Sequence, residues 1–479
     1  MNLTVVASSA SSTLLAAREQ MAFTLAFHIL LVPIGVALPT ITLVANWRGV
    51  RKRDEVALLL ARRWSKVMAV TFAVGAVTGT VLSFELGLLW PGLMGKFGSV
   101  FGLPFGLEAI AFFLEAILIA VYIYGWDRLT PRAHLWTGVP IPFASVLGAI
   151  SILAVNSWMN TPQGFKLSSK GLPQNVDVAK AMFTPAFPWE VTHFVIAAYL
   201  AAGFLVASVY AVGMLRGRND RYHRLGFLIP FTIAAMLTPV QLVVGDQITR
   251  MVIREQPVKF AAIEGVQQSG THEPEALFGY LPGNGQDDNA SIEYAIKIPD
   301  LGSFLTGGSA DTEIKGLNTV KDDDRPPVNI VHWSFDIMVL IASALALLAV
   351  WFGFVWWRRR RLPKTRWFLR AAAISGVATL IALETGWFVT EVGRQPWIVY
   401  NVLRTKDAVT AHGGIWFTFG IIVALYLLVA TGLIATLRVL ARRWRSQDEG
   451  ADSDVPYGPR GPLRLGDHEA SPAAEKVGV

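Results

Sequence analysis

The residues that could do chemistry in this chain are few, and most lie where charge is expensive. His28, Glu108, Glu115, His193, Glu384 and Glu391 each sit within a run of apolar residues, while Glu85 and Asp246 approach the ends of two others. An ionisable side chain inside a bilayer costs at least about 2.5–3.5 kcal/mol, so each such group is a functional hypothesis. Glu108 and Glu115 are two helical turns apart and share one face, with roughly 10 Å of rise between them. Stacked carboxylates can relay protons along a helix; they can equally bond to partner helices. The chain has no Cys, which excludes thiolate metal sites and iron–sulfur clusters. A metal or haem must therefore be held by His, Met or carboxylate. An axial His on one helix and a Met on another make a low-spin haem of the electron-transfer type. His193 and Met338 are the pair considered for it.

The elements that must position these groups are membrane helices. Of 479 residues, 53% are apolar and 16% charged, against roughly 25% charge in a soluble domain, and the mean hydropathy is +0.45. A cytosolic enzyme, a disordered chain and a disulfide scaffold are all excluded. The net charge of +7 does not mark a nucleic-acid binder, because the cations sit between apolar runs. Stretches of about 20 apolar residues cross a bilayer, and nine qualify, at roughly 19–46, 66–90, 101–125, 136–158, 189–214, 225–249, 329–357, 367–392 and 413–437. Pro33, Pro39, Pro140 and Pro142 fall inside them. Arg and Lys cluster in alternate loops, around 48–63, 128–132, 216–224, 358–364 and 442–445. The positive-inside rule then puts the N-terminus outside and the C-terminus in the cytoplasm. The first fifteen residues lack a basic region, so the first long helix is expected to serve as the insertion signal.

This topology brings His28, Glu108, His193, Glu391 and Met338 to one depth in the outer half of the membrane, which predicts a shared buried site. Glu115 lies deeper, toward the cytoplasm. The expected organisation is an all-α integral membrane protein: six helices over 1–250, an extracytoplasmic loop over 251–328, three helices over 329–440, and a disordered cytoplasmic tail over 441–479. A loop of that length is usually functional or disordered. No internal repeat of the inverted-transporter kind is visible.

The run Gly386-Trp387-Phe388-Val389-Thr390-Glu391-Val392-Gly393-Arg394-Gln395-Pro396-Trp397 closely resembles the GWxxxExGRQPW signature of subunit I of cytochrome bd quinol oxidases. Beside it stand Glu108 with the Phe-Phe-Leu-Glu run ending at Glu115, Asn156-Ser157-Trp158-Met159, and a Gln-Pro-x-Lys-x-Ala-Ala-x-Glu pattern from Gln256 to Glu264. The resemblance spans all nine helices, and the family's nine-helix, N-outside arrangement agrees with the topology above.

The resemblance implies three haems near the outer face: low-spin b558, and high-spin b595 beside haem d, where oxygen is reduced. Residue by residue, His193 and Met338 correspond to the b558 axial ligands, and His28 to a high-spin haem ligand. Glu391 corresponds to the carboxylate ligand of the other high-spin haem, with Glu108 a third group at that pair. Arg394 would neutralise haem propionates, and Trp387 resembles the aromatic residue between haems. Lys259 and Glu264 match residues of the family's quinol-binding loop. On a helix they would lie about 140° apart and flank a head group rather than stack. Asp336 departs from members that carry Arg two residues before the Met ligand. The implied function is quinol oxidation coupled to reduction of O₂ to water. Quinol protons leave at the outer face and substrate protons enter past Glu115, so a proton gradient forms without a pump. A second membrane subunit, and in some members a very small one, are the implied partners, in a bacterial plasma membrane. A haem-free, proton-coupled transporter using the same carboxylates is the competing reading, and a visible spectrum separates the two.

Overall fold

In the computed structural model, which describes residues 3–449 and Pro456, nine helices are long and apolar enough to cross a membrane. The helices are α1 (Leu3–Lys52), α2 (Glu55–Leu89), α3 (Pro91–Gly125), α4 (Pro131–Gly138), α5 (Pro140–Asn160), α6 (Val178–Met182), α7 (Phe187–Leu215), α8 (Arg221–Glu255), α9 (Pro257–Glu264), α10 (Leu301–Gly307), α11 (Val328–Arg359), α12 (Arg366–Val392), α13 (Thr405–Ala408) and α14 (Ile415–Glu449). Three two-stranded antiparallel hairpins join them: β1 (Lys166–Leu167) with β2 (Pro173–Gln174), β3 (Glu275–Leu277) with β4 (Ile296–Ile298), and β5 (Trp397–Val399) with β6 (Leu403–Arg404).

All nine expected spans are present, with shifted boundaries. Helices α2 and α3 begin about ten residues before the apolar stretch, so Arg62 and Arg63 are helical rather than loop residues. Pro140 and Pro142 do not interrupt a span. They open α5 in its first turn, where a missing N–H costs nothing, and α4 packs beneath as a separate short helix. The last helix runs on to Glu449, beyond the boundary expected near 440; the rest of the expected tail, Pro456 apart, lies outside the described residues.

Helix α7 is the hub, packing on α8, α12, α1 and α5. Ala198, Ala201, Ala202, Ala207 and Ala211 are at most 1% exposed, and a Cβ on Gly203 would meet the Pro230 carbonyl and the Ala234 side chain of α8. Lipid offers no hydrophobic drive for helix association, so small side chains that let backbones approach are what holds such helices together. Large residues face outward instead: Phe113, Phe143, Leu347, Ile374 and Phe417 are all exposed.

The segment expected as a long loop is an ordered cap. Gln256 breaks α8 from α9, Pro257 starts the new helix, and Gly265 ends it in a left-handed turn (φ 67°) that a side chain would strain. Beyond it, β3 and β4 pair, and Ile263, Leu281, Leu317, Val328 and Val331 form a core joining cap to α11. Arg325 knits the cap, donating to the Gly285 carbonyl (2.9 Å) and pairing with Asp288 (2.7 Å) and Asp322 (2.9 Å).

At the opposite, Arg-rich end, Asp54 caps α2 by accepting the Ala57 N–H (3.2 Å) and pairs with Arg48 (3.0 Å) and Arg221 (2.8 Å). Replacing it with Ala removes the cap and a buried charge shared by three helices. The expected cost is about 2 kcal/mol, with Asp54→Asn losing less because it keeps the cap. A thermal midpoint of the solubilised Asp54→Ala protein equal to wild type would refute this.

Candidate functional site

Of the residues expected to share a site, Glu391 lies at the end of the bundle that carries the cap, joined to Lys259 of α9 through Asn156 and Asn160. His28 on α1 places Nδ1 2.8 Å from the Thr78 hydroxyl of α2. That hydroxyl is itself within bonding distance of the Val74 and Gly75 carbonyls (3.2 and 3.1 Å), so its one proton goes there and it accepts from His28. The tautomer is thereby fixed with Nδ1 protonated and the Nε2 lone pair bare, the state that binds metal. Thr78 was not singled out by sequence, since one Thr in a membrane helix carries no signal.

The tips of His28, His193 and Met338 each approach a glycine of another helix. A Cβ on Gly79 would lie 3.2 Å from His28 Cε1, one on Gly245 3.9 Å from His193 Cε1, and one on Gly386 2.9 Å from Met338 Sδ. His193 Nδ1 is buried with no hydrogen-bond partner. His193 and Met338, expected at one depth, sit on α7 and α11, with Gly386 of α12 against the Met338 sulfur.

The signature motif closes α12. Glu391 accepts from Arg394 Nη2 (2.5 Å) and from Asn156 Nδ2 (2.6 Å). The Arg394 side chain is 1% exposed, yet its Nε and Nη1 are buried without a partner. A buried guanidinium with one satisfied corner is costly unless an anion completes it. Trp387, half-buried, lies one turn before Glu391 on α12.

The cap contributes two groups that point apart. Both belong to α9, as the helical reading requires, and both are buried, Lys259 at 3% and Glu264 at 8% exposure. Lys259 Nζ donates to Asn160 Oδ1 (3.0 Å) and to the Thr390 carbonyl (3.2 Å), facing α5 and α12. Burial first, and Arg394 second, push its pKa down to about 7, while Glu190 and Glu391 pull it back up. Glu264 faces the other way, toward Glu275 of β3 and Asp336 of α11; burial and the neighbouring Glu275 raise its pKa well above the carboxylate range. Asp336 accepts the Phe278 N–H (2.6 Å). His332 beside it donates from Nδ1 to the Ile263 carbonyl (2.7 Å) and accepts the Gly279 N–H at Nε2 (3.1 Å), a neutral imidazole.

The remaining groups divide. Glu115 is buried and accepts from Ser145 of α5 (2.5 Å). Glu108 is half-buried two turns away, on the same helix. Glu384 is half-buried with one buried oxygen unpartnered. Glu85 is instead a clamp between helices, accepting from Gln20 (2.7 Å) and Thr24 (3.2 Å) of α1. Asp246 is half exposed in an ordinary i,i+4 pair with Arg250 (2.8 Å) and does not join the site. Sequence reasoning missed Glu190, on α7 one turn before His193, which accepts from Ser157 (2.7 Å) and Asn160 (3.0 Å). The rule that flags charge within an apolar span applies to it and finds it.

Comparison with known proteins gives one answer. A model of the family described as "Cytochrome bd terminal oxidase subunit I" matches residues 16–444. The solved structure of bd oxidase from Geobacillus thermodenitrificans is similar with a TM-score of 0.82 and 35% identity, covering 90% of this chain and 98% of that one. The chain is 30% identical to the cytochrome bd ubiquinol oxidase subunit 1 of Bacillus subtilis (strain 168), over 88% of its own length and 92% of the relative's. It is 28% identical to the cytochrome bd-II ubiquinol oxidase subunit 1 of Escherichia coli (strain K12), over 92% and 98%.

Proposed function

The chain belongs to the family of subunit I of cytochrome bd terminal oxidases, and on that premise we propose how its residues divide the work. It is a multi-pass bacterial membrane protein, a terminal respiratory oxidase subunit that oxidises quinol and reduces oxygen, with haem as cofactor. Members of this family work with a second membrane subunit. Our assignment gives His193 and Met338 to haem b558. It gives His28 to one of the high-spin haems b595 and d, and Glu391 to the other, with Glu108 as a third group at that pair.

The observation that carries this reading is the form of the candidate ligands. His28 is held as the tautomer with a bare Nε2, and the tips of His28, His193 and Met338 each approach a glycine of another helix. Among the described residues no group of three or more His, Asp or Glu side chains is arranged to hold a metal ion. A metal bound here therefore brings most of its own ligands, as haem iron does. The half-satisfied Arg394 guanidinium suits the propionates of such a group, and Trp387 is an aromatic side chain one turn before Glu391.

Bound haem supplies the one-electron chemistry that quinol oxidation and oxygen reduction both need. The protein supplies bases and a direction. A quinol loses two protons with its two electrons, so a base has to reach its hydroxyl. Lys259 and Glu264 are those bases in our reading, on either side of α9. With the Arg-rich end in the cytoplasm, as the positive-inside rule has it, they release protons outside. Glu115, bonded to Ser145 and two turns inward of Glu108, feeds protons from the cytoplasm. Release on one side and uptake on the other generate a proton gradient without a pump.

The test of the ligand assignment is Met338→Leu, which keeps volume and removes the thioether. The low-spin signal should convert to high-spin or vanish in the dithionite-reduced spectrum; an unchanged low-spin spectrum sinks it. Glu391→Ala should lose high-spin signal and oxygen consumption while the His193/Met338 haem persists, and normal oxygen consumption in that variant overturns its role.

The proton assignment predicts a pH dependence with a definite sign. A base accepts a proton only when it holds none. Lys259 is depressed to about 7, so its accepting form grows as pH rises through about 7, and the raised Glu264 ionises only above the ordinary carboxylate range. Quinol oxidation should therefore rise with pH. Lys259→Met and Glu264→Gln should each flatten that rise while the reduced haem spectrum stays intact. Two variants with wild-type pH profiles would refute this quinol site.

A further inference from the structure

Asn160, the last residue of α5, is fully buried and has every valence of its amide in use. Its Nδ2 donates to Glu190 Oε1 (3.0 Å) and to Asn156 Oδ1 (3.0 Å). Its Oδ1 accepts from Lys259 Nζ (3.0 Å) and Gln256 Nε2 (3.2 Å). An Asn side chain offers two donors and two lone pairs, so nothing is left over. Turning the amide over would set its oxygen against the Glu190 carboxylate and its N–H groups against the Lys259 ammonium. The direction it faces is thus dictated by Glu190 on one side and Lys259 on the other.

Asn156 carries the connection further, since its Oδ1 accepts from Asn160 while its Nδ2 donates to Glu391 (2.6 Å). A continuous run of side-chain hydrogen bonds therefore joins Lys259 of the cap to Glu391 and Arg394 of the signature motif. Two cations, Lys259 and Arg394, are balanced by two carboxylates, Glu190 and Glu391. Two of the three positions on Lys259 Nζ are spent as donors, to Asn160 and to the Thr390 carbonyl. Among the described residues the third has no partner.

We infer that Asn160 and Glu190 are positioning residues of quinol oxidation: Glu190 fixes the orientation of the Asn160 amide, and Asn160 holds Lys259 so that the third position on its Nζ, the lone pair of the neutral amine, is aimed at a hydroquinone hydroxyl. Neither residue touches substrate in this arrangement; both act through Lys259. The inference rests on the assignment of Lys259 to quinol made above. Ser157 holds the second Glu190 oxygen (2.7 Å), which keeps the carboxylate from swinging away from Asn160.

The experiment is a double-mutant cycle on the intact oxidase, with oxygen consumption driven either by a quinol or by a phenylenediamine that delivers electrons without a hydroquinone hydroxyl. Asn160→Ala and Glu190→Gln should each lower kcat/KM for quinol by roughly tenfold, the weight of one charge-assisted hydrogen bond. Phenylenediamine turnover and the reduced haem spectrum should be retained. In a Lys259→Ala background the same two changes should cost almost nothing further, since the group they position is gone. Glu190→Asp, which keeps the charge, should recover part of the loss. Additive losses in the Lys259→Ala background overturn the inference, as does an equal loss with both donors. If Asn160→Ala does not accumulate, the Glu190→Gln cycle decides alone. Wild-type quinol kinetics in Lys259→Ala would instead bring down the underlying quinol assignment, an outcome distinct from normal kinetics in Asn160→Ala and Glu190→Gln with Lys259→Ala impaired.

Discussion

A charge removed from water has to be satisfied, and at the capped end of this bundle Arg394 pairs with Glu391 while the Asn160 amide joins Lys259 to Glu190. Lys259, Glu190, Glu391 and Arg394 come from α9, α7, the end of α12 and the turn after it, so the cap, the hub helix and the motif helix cannot shift independently without breaking a hydrogen bond to a charged group. Hydrogen bonds to charged groups are worth about 1.5–3 kcal/mol each, more than the burial of one methylene contributes. Two neutral amides, Asn156 and Asn160, spread the coupling between the four without adding charge. The arrangement explains why the motif, the Asn-Ser-Trp-Met run and the Gln-Pro-x-Lys pattern are found together in one sequence: they are one hydrogen-bonded object cut into three pieces by the chain.

Much of the fold is legible because the bilayer enforces it. Backbone polar groups in hydrocarbon must be satisfied within the element, so an apolar run of sufficient length can only be a helix. All nine spans follow from that single constraint. Their ends do not, because helix ends are set by polar caps outside the hydrocarbon: Asp54 and Asp220 begin α2 and α8 in sequence that hydropathy scores as loop. The same limit applies to Pro140 and Pro142. Composition sees an apolar stretch with two prolines in it, whereas the local rule that Pro favours a first turn splits α4 from α5.

The site was legible in kind more than in connection. The expectation that His28, His193, Glu108, Glu391 and Met338 share one depth needs only topology and a residue count. Which side of α9 Lys259 and Glu264 occupy needs their neighbours, and those arrive from sequence positions as distant as Asn160 and Asp336. Glu190 sits in the first turn of α7, at the edge of its apolar span, where an acidic residue is also expected simply to cap the helix. The cap itself has no periodicity to read. Its order comes from scattered long-range contacts, with Arg325 reaching the Gly285 carbonyl and the Asp288 carboxylate, and pairings of that sort leave no pattern in a single chain.

Asp336 shows how a departure from a family pattern can be given meaning by its surroundings. A carboxylate two residues before a candidate haem ligand is odd by electrostatics alone, in a region that already holds Glu264 and Glu275. Its oxygen, though, accepts the Phe278 N–H at 2.6 Å, directly after β3, and so fastens the cap to α11. The neutral His332, one turn earlier, holds the Gly279 N–H and the Ile263 carbonyl, so consecutive amides of the cap and the last turn of α9 are all gripped by one face of α11. An arginine at this position has no acceptor to offer a backbone N–H. Asp336 therefore provides a fixed seat for the strand that carries Glu275. It follows that the helix bearing Met338 and the cap bearing Glu264 move as one body, and that substitutions at Asp336 act on both together.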